Sequence, residues 1–540
     1  VDDERDRLLA SIERWIPSAE VDRRGFLKAI GKGALLALVW TITNPLSGTR
    51  IEAAPRYLSH PFRLGVASGD PLSDGCILWT RLATDSLKGG VMATYDLPVR
   101  WEVAHDEHFR SVVRSGAATA QAKLGHSVHV DVRGLKPGRE YFYRFKSGSD
   151  ISAVGRTKTT PLKGSSISDM SLAFASCQQY EHGYYTAYRH MAQEDLDVVF
   201  HLGDYIYEYG AGKYVANSGN VRRHESQEVK SLSEYRNRYA QYRKDPDLQA
   251  AHAAFPWIAV WDDHEVDNNY AGSHPEKNQS PTAFLRRKAA AYQAYYEYMP
   301  MRLSLLPHGP QMRIYRRFTY GNLAEFNMLD TRQYRDDQVN GTKWNRISEE
   351  ASDSHRTMLG KAQENWLVKG LYQSKAHWNV LAQQVFFSRL DHRDGQSHMR
   401  NMDAWDGYTA SQKRLLKHFA ELKDANPIIL TGDVHSNWAC DLKADFNNPG
   451  SPVVGSEFVG TSITSEGDGF DIKPHFSREL SQNDHVHFFN GQRGYVRCHI
   501  TPKNWRTDYR ILPYVSKPGA PIVTRETFVV ENGRPGIQRG

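Results

Sequence analysis

After residue 170 the chain runs through short apolar stretches, each of which breaks off on polar residues. They are SLAFASC (171–177), LDVVFHLGD (196–204), PWIAVWDDHE (256–265), AEFNMLDTR (324–332), HWNVLAQQVFF (377–387) and NPIILTGDVHSNW (426–438). Runs apolar on both faces suit strands buried between layers, and helical stretches separate several of them, such as TAFLRRKAAAYQAYYEYM (282–299) and LGKAQENWLVKGL (359–371). This pattern predicts an α/β layered core, whose site collects at the carboxyl ends of its strands. Those ends hold Cys177, Asp204, Asp263, His264, Asp433 and His435, all able to bind a metal.

Taken singly, each has an ordinary reading. Asp204 could cap a helix, and Tyr207, in the aromatic run YIYEY, could simply pack. Cys177 could be a buried hydrophobe, Asp262 and Asp263 solvated carboxylates, and His264 a cap or a surface histidine. The most specific piece is GDVH, Gly432 to His435, where Asp and His alternate across a turn after a glycine. Joint occurrence at successive strand ends favours a metal site over six coincidences.

Before residue 170 the pattern differs. Short alternating pieces, CILWTRL, VRWEVAH, HSVHVDVRGL, EYFYRFKSG and SAVGRTKTT, are divided by turns such as LKPGRE. They predict a small antiparallel all-β sandwich over 54–160, and GLKPGREYFYRF resembles a fibronectin-like domain. TPLKGSSISDM reads as a polar connection, with 161–170 as linker and 171–540 as the catalytic domain. The first 53 residues resemble a twin-arginine signal peptide. Arg23 and Arg24 precede Phe26, Leu27 and Lys28, then an apolar run too short to span a bilayer, and Ile51-Glu52-Ala53 offers a cleavage site. Asp22 stands where Ser or Thr is commoner. The expectation is an enzyme secreted or cell-wall-associated, exported folded by the twin-arginine machinery, with no transmembrane segment in the mature protein.

Composition narrows the partners. A net charge of +6 is spread over 540 residues without a dense Lys/Arg block, so no nucleic-acid module is expected. Four cysteines, Cys76, Cys177, Cys440 and Cys498, are too few and scattered for a disulfide scaffold.

The order of motifs (a strand ending in a first ligand, then GD, then D-H-E, then a late G-D-V-H) resembles the calcineurin-like metallophosphoesterases. There Asp204 matches the carboxylate that bridges two metals, and Tyr207 matches the tyrosinate of the purple acid phosphatase branch. The chain departs from the usual pattern at Cys177, at Asp263 where Asn is usual, and at Asp433 in place of a histidine. Gln383 or Gln384 falls where a metal histidine often sits. With FASCQQYEHGYY, WDDHEV, LDTRQYRDDQ, WDGY and GTSITSEG, these departures resemble the PhoD family of alkaline phosphatases over nearly the whole chain.

That resemblance implies a metallophosphoesterase-like layered β-sandwich with flanking helices, using ferric iron (Fe3+) with calcium (Ca2+). It implies hydrolysis of phosphomonoesters and phosphodiesters, wall teichoic acid among the substrates. Ligand chemistry agrees. Thiolate and phenolate from Cys177 and Tyr207, with carboxylate and imidazole, suit iron, while Asp263, Asp433 and glutamine or asparagine oxygens suit calcium, and Asn269 could ligate a second calcium. His264 is then placed as a proton donor, and Arg332 as a phosphate clamp or a structural salt bridge. Two other readings compete: a phospholipase D-type phosphodiesterase or haloperoxidase-like enzyme on the same scaffold, and a non-catalytic wall-binding protein.

Overall fold

In the computed structural model the described residues are 55–540, apart from 56, 58, 85–92, 278, 392–398, 423–425, 473–479 and 481. The arginine pair and the cleavage site expected near the start lie outside them.

Two large sheets carry the architecture. A ten-stranded sheet has at its centre three parallel strands, Met170–Ala175, Val198–His201 and Pro256–Ala259. A seven-stranded sheet has at its centre the parallel set Ala324–Met328, Trp378–Ala382, Pro427–Thr431 and Val453–Val459. The sheets face each other across one core, where the rings of Phe200 and Phe326 meet at 4.8 Å. Strand alternation explains the layering. Ile428 and Leu430 point into that shared core, while Ile429 between them points outward onto Leu415, Leu416 and Phe419 of the helix Thr409–Glu421. Trp378, Val380 and Ala382 divide from Leu381 in the same way. Pro427–Thr431 is therefore apolar on both faces, as its continuous run in the sequence requires, whereas Ala324–Met328 turns Glu325 and Asn327 away from the shared core onto Arg317.

Flanking helices begin where local chemistry tells them to. Ser231 and Glu234 form a reciprocal capping box at the start of Leu232–Arg243. Ser280 caps Pro281–Tyr298, whose proline occupies the first turn, where a missing N–H costs nothing. Among the described residues no helix is long and apolar enough to cross a membrane.

The N-terminal strands form two layers, and only one of them is a sheet of its own. Leu97–Ala104, Val112–Ala120, Glu140–Ser147, Asp150–Ile151 and Gly155–Lys158 form a sheet of their own over a separate core. The facing layer, Val66–Leu72, Gly75–Arg81 and Ser127–Arg133, is instead the continuation of the ten-stranded sheet. Val66–Leu72 pairs in parallel with Pro256–Ala259 through Ser68 opposite Pro256 and Gly69 opposite Trp257. Val66, Cys76 and Leu78 face the N-terminal core, whereas Ala67 and Trp79 belong to the main one. The cause is the unsatisfied edge that Pro256–Ala259 would otherwise present.

The junction is tight enough to test. A Cβ on Gly69 would lie 2.4 Å from the Pro300 carbonyl oxygen and 2.7 Å from that of Trp257. Gly69→Ala is expected to cost about 1–3 kcal/mol through overpacking of backbone that cannot yield. A urea or guanidinium titration should show a lower midpoint at unchanged slope.

Candidate metal centre

The carboxyl ends of the central strands of both sheets come together, and the expected residues arrive on the loops that leave them. Cys177 follows Met170–Ala175, Asp204 and Tyr207 follow Val198–His201, and Asp262 to His264 follow Pro256–Ala259. Asp433 and His435 follow Pro427–Thr431 of the facing sheet. The chain turns sharply at these points. Cys177, Asp204, Asn269, Asp433 and His435 all have positive φ, between 51° and 65°, a region that non-glycine residues rarely enter. Residues held there cost about 1–3 kcal/mol each and persist where the surroundings over-determine them. Gly203 makes room for this crossing: a Cβ on it would fall 2.4 Å from Asp262 Cβ.

Three overlapping groups of donors result. Cys177, Asp204 and His435 each place a ligand atom within 4.8 Å of the others, as do Asp204, Asp263 and His264, and Asp262, Asp263 and Asp433. Tyr207 joins the first group, its hydroxyl donating to Asp204 Oδ2 at 2.9 Å and lying 3.2 Å from His435 Nε2 and 2.7 Å from Ser465 Oγ. The other carboxylate oxygen of Asp204, Oδ1, is buried with no hydrogen-bond partner. An unsatisfied buried carboxylate oxygen facing a thiol, a phenol and an imidazole fits a cation.

Electrostatics point the same way. Burial first, and the Asp204 charge next, push the Cys177 thiol and the Tyr207 phenol well above their ordinary pKa values. Asp433 is likewise pushed up by burial and then by Asp262. Only a strong local positive charge would let these groups ionise together. The donor types differ between the groups: thiol, phenol and imidazole gather with Asp204, while Asp262, Asp263 and Asp433 offer only oxygens.

His264 sits between the groups. Burial opposes its charge, but Asp263, Glu208 and Asp204 outweigh that and hold the imidazole pKa well above its usual value. Glu208 Oε2 lies 2.7 Å from Nδ1, which leaves Nε2 for other work, and the ring lies against Tyr207 at 4.2 Å. Asn269 places its backbone N–H 2.6 Å from Asp263 Oδ2. With its amide NH2 turned inward it donates to Asp263 Oδ2 at 3.1 Å and to Asp403 Oδ2 at 3.3 Å. The opposite amide orientation would present its oxygen to those two carboxylates, which only a cation would make favourable.

Arg332, read from the sequence as a phosphate clamp or a salt bridge, is fully buried with its fork on Asp262 and on Asp403 (2.8 Å), while its Nη2 has no hydrogen-bond partner. Its remaining nitrogen stands 3.8 Å from Asp263 and 3.6 Å from Asp433. Gln383 and Gln384 do not supply ligands. The first holds Trp405 Nε1, Thr431 Oγ1 and the Val385 carbonyl, and the second holds Thr331 and the Leu329 carbonyl.

Sequence reasoning missed the residues that act through others. Glu265 accepts the backbone N–H groups of Asp204 (3.1 Å), Tyr205 and Asp262 (2.8 Å), tying two ligand loops together. Asp403 receives Arg332, Arg335 and Gln338, and Glu466 lies 3.4 Å from His435 Nδ1. The one available signal was the position of Glu265 beside the D-D-H motif, and residue type alone does not show that its partners are backbone donors.

Because Glu265 faces three donors, even isosteric Glu265→Gln turns an NH2 against an N–H. The expected outcome is a loss of about 1–3 kcal/mol in chemical denaturation, the range for leaving a buried donor unsatisfied. Elemental analysis should show lowered metal content as well, since both loops shift.

With that geometry in hand, comparison with known proteins is informative. Residues 172–509 match the family model described as PhoD-like phosphatase, and residues 48–161 match that of the PhoD-like phosphatase N-terminal domain. The chain is 55% identical over 518 residues to alkaline phosphatase D of Bacillus subtilis (strain 168), covering 96% of this chain and 89% of that one. It also superposes on a solved structure titled "Structure of PhoD" with a TM-score of 0.89 at 56% identity, covering 90% of this chain and 93% of the other. The chain belongs to the PhoD-like phosphatase family.

Proposed function

We propose that this chain is an exported phosphatase and phosphodiesterase that hydrolyses phosphate esters at the cluster built from Cys177, Asp204, Tyr207, Asp263, Asp433 and His435. The observation that carries this reading is the convergence of those donors, with the unsatisfied Asp204 Oδ1 between them, in a chain of the PhoD-like family. Ferric iron would be held by Cys177, Asp204, Tyr207 and His435, and calcium by Asp204, Asp263 and Asp433, with Asn269 available to a second calcium. When bound, such a pair would acidify a water for in-line attack on phosphorus and screen the charge of the ester.

The chain's own groups do the rest. Glu208 fixes the His264 ring through Nδ1, so a proton carried on Nε2 is aimed at the leaving oxygen. Ser465 and Asp204 hold the Tyr207 oxygen toward His435. Arg332 keeps Asp262 and Asp403 at fixed spacing, and its residual charge steadies Asp263 and Asp433. Wall teichoic acids, whose backbones are phosphodiesters, fit the expected exported setting.

Turnover of a chromogenic phosphomonoester and of the matching diester tests the reaction class. A strict diesterase shows only the second, and a wall-binding protein shows neither. In the same assay His264→Ala is expected to lose about 10²- to 10⁴-fold in kcat while retaining its metals. The loss should shrink for esters with very acidic leaving groups. Loss of metal stoichiometry instead would make His264 a ligand, the role its place beside Asp204 and Asp263 also permits.

The metals give a second test. A phenolate on ferric iron absorbs visible light, so the purified protein should be coloured, and Tyr207→Phe should bleach or strongly shift the band. A calcium chelator should abolish activity while colour survives, and added calcium should restore it. A colourless, fully active protein holding two zinc ions would overturn this assignment.

A further inference from the structure

Beside His435 the molecule opens into a cavity of about 440 Å³. Asp433, Val434, His435 and Ser436 line its inner end, so it is continuous with the proposed metal centre. Its far wall is a run of rings in contact. Phe386 meets Trp438 at 5.6 Å, Trp438 meets Phe489 at 4.6 Å, and Phe489 meets Phe470 at 6.0 Å. Trp344, 36% exposed, stands at the mouth on the short strand Trp344–Arg346. The charged side chains on the lining other than His435 are acidic, Asp406, Asp433 and Glu466, and no lysine or arginine is among the described residues there.

An ester whose phosphorus lies at the metal centre must put its organic group somewhere, and this cavity adjoins that position directly. A further phosphate entering it would meet the carboxylates of Asp406, Asp433 and Glu466 in a partly desolvated space, opposed only by His435 on the lining, by Arg332 at 3.6 Å behind Asp433 and by Arg493 at 3.9 Å behind Glu466. An uncharged ring would instead bury apolar surface against Trp438, Phe470 and Phe489, gaining about 25 cal/mol per Å² and ring-to-ring contact. We propose that this cavity is the subsite for the organic group of the ester, and that it selects uncharged rings over groups carrying additional phosphate. The proposal rests on the phosphoesterase reading and names the substrate class within it. For a polymeric substrate it places the ring-bearing side of the scissile bond here and the neighbouring phosphates elsewhere.

The test compares the metal-loaded enzyme with Trp344→Ala and Phe470→Ala on phenyl phosphate and glycerol 1-phosphate. KM for phenyl phosphate relative to that for glycerol 1-phosphate is expected to rise about 3- to 10-fold in each variant, the size of one lost aromatic contact. Trp344→Ala keeps the test intact should Phe470→Ala fold poorly, because Trp344 lies at the mouth and Phe470 pairs with Gly491 inside. In the unmodified enzyme 1,4-phenylene bisphosphate should show a KM at least several-fold above that of phenyl phosphate. Unchanged KM ratios in both variants, or tighter use of the bisphosphate, would overturn the subsite while leaving the phosphoesterase reading standing. Turnover of neither monoester nor of a diester by the unmodified enzyme would overturn both.

Discussion

Carboxylates buried within a few ångströms of one another repel, and much of this molecule is organised around holding them together. Asp204, Asp262, Asp263 and Asp433 lie in overlapping groups at the meeting of two sheets. In water such charges would matter little, but in a desolvated site their repulsion is several times stronger. The structure answers with one buried guanidinium, Arg332, set between Asp262 and Asp403 and close to Asp263 and Asp433. Arg335 on Asp403 and the imidazole of His264 add to it, yet Asp204 Oδ1 and Asp262 Oδ2 are left buried without hydrogen-bond partners.

Holding a repulsive cluster demands rigid supports, and these come from the backbone as much as from side chains. Five of the expected ligands sit at positive φ, where a flexible loop would relax into an easier conformation. They do not relax because each loop is pinned from behind. Glu265 gathers three backbone N–H groups from two loops, and the Cys177 carbonyl is held by Ser465. Loops of this kind are short continuations of strands apolar on both faces, so the core anchors them at their roots. Packing energy in the layered interior thereby offsets local strain at the site.

The N-terminal region contributes to that anchoring more than a separate module would. By pairing Val66–Leu72 with Pro256–Ala259, it covers the edge of the strand that delivers Asp262, Asp263 and His264. Trp79 reinforces the junction, its indole N–H bonded to the Glu297 carbonyl at 2.9 Å. A strand edge left open there would free the loop that carries the proposed proton donor.

The sequence by itself determined the layered α/β core and the positions at which the candidate ligands emerge. An unbroken apolar run ending on GD or D-D-H has few physical realisations other than a buried strand delivering polar residues to a sheet edge. Cys177, Asp204, Tyr207, Asp263, Asp433 and His435 were legible for that reason, since both residue type and strand position carry the signal. Tertiary structure alone decided which polar residues face the cluster and which serve its frame. Arg332, Gln383 and Gln384 stand at strand ends just as the candidate ligands do, yet their hydrogen bonds go to Asp262, Trp405 and Thr331. Glu208, Glu265 and Asp403 matter through partners distant in sequence or through backbone N–H groups, which no residue pattern displays. The merging of N-terminal strands into the main sheet was equally hidden, because edge pairing is made by main-chain groups common to every sequence.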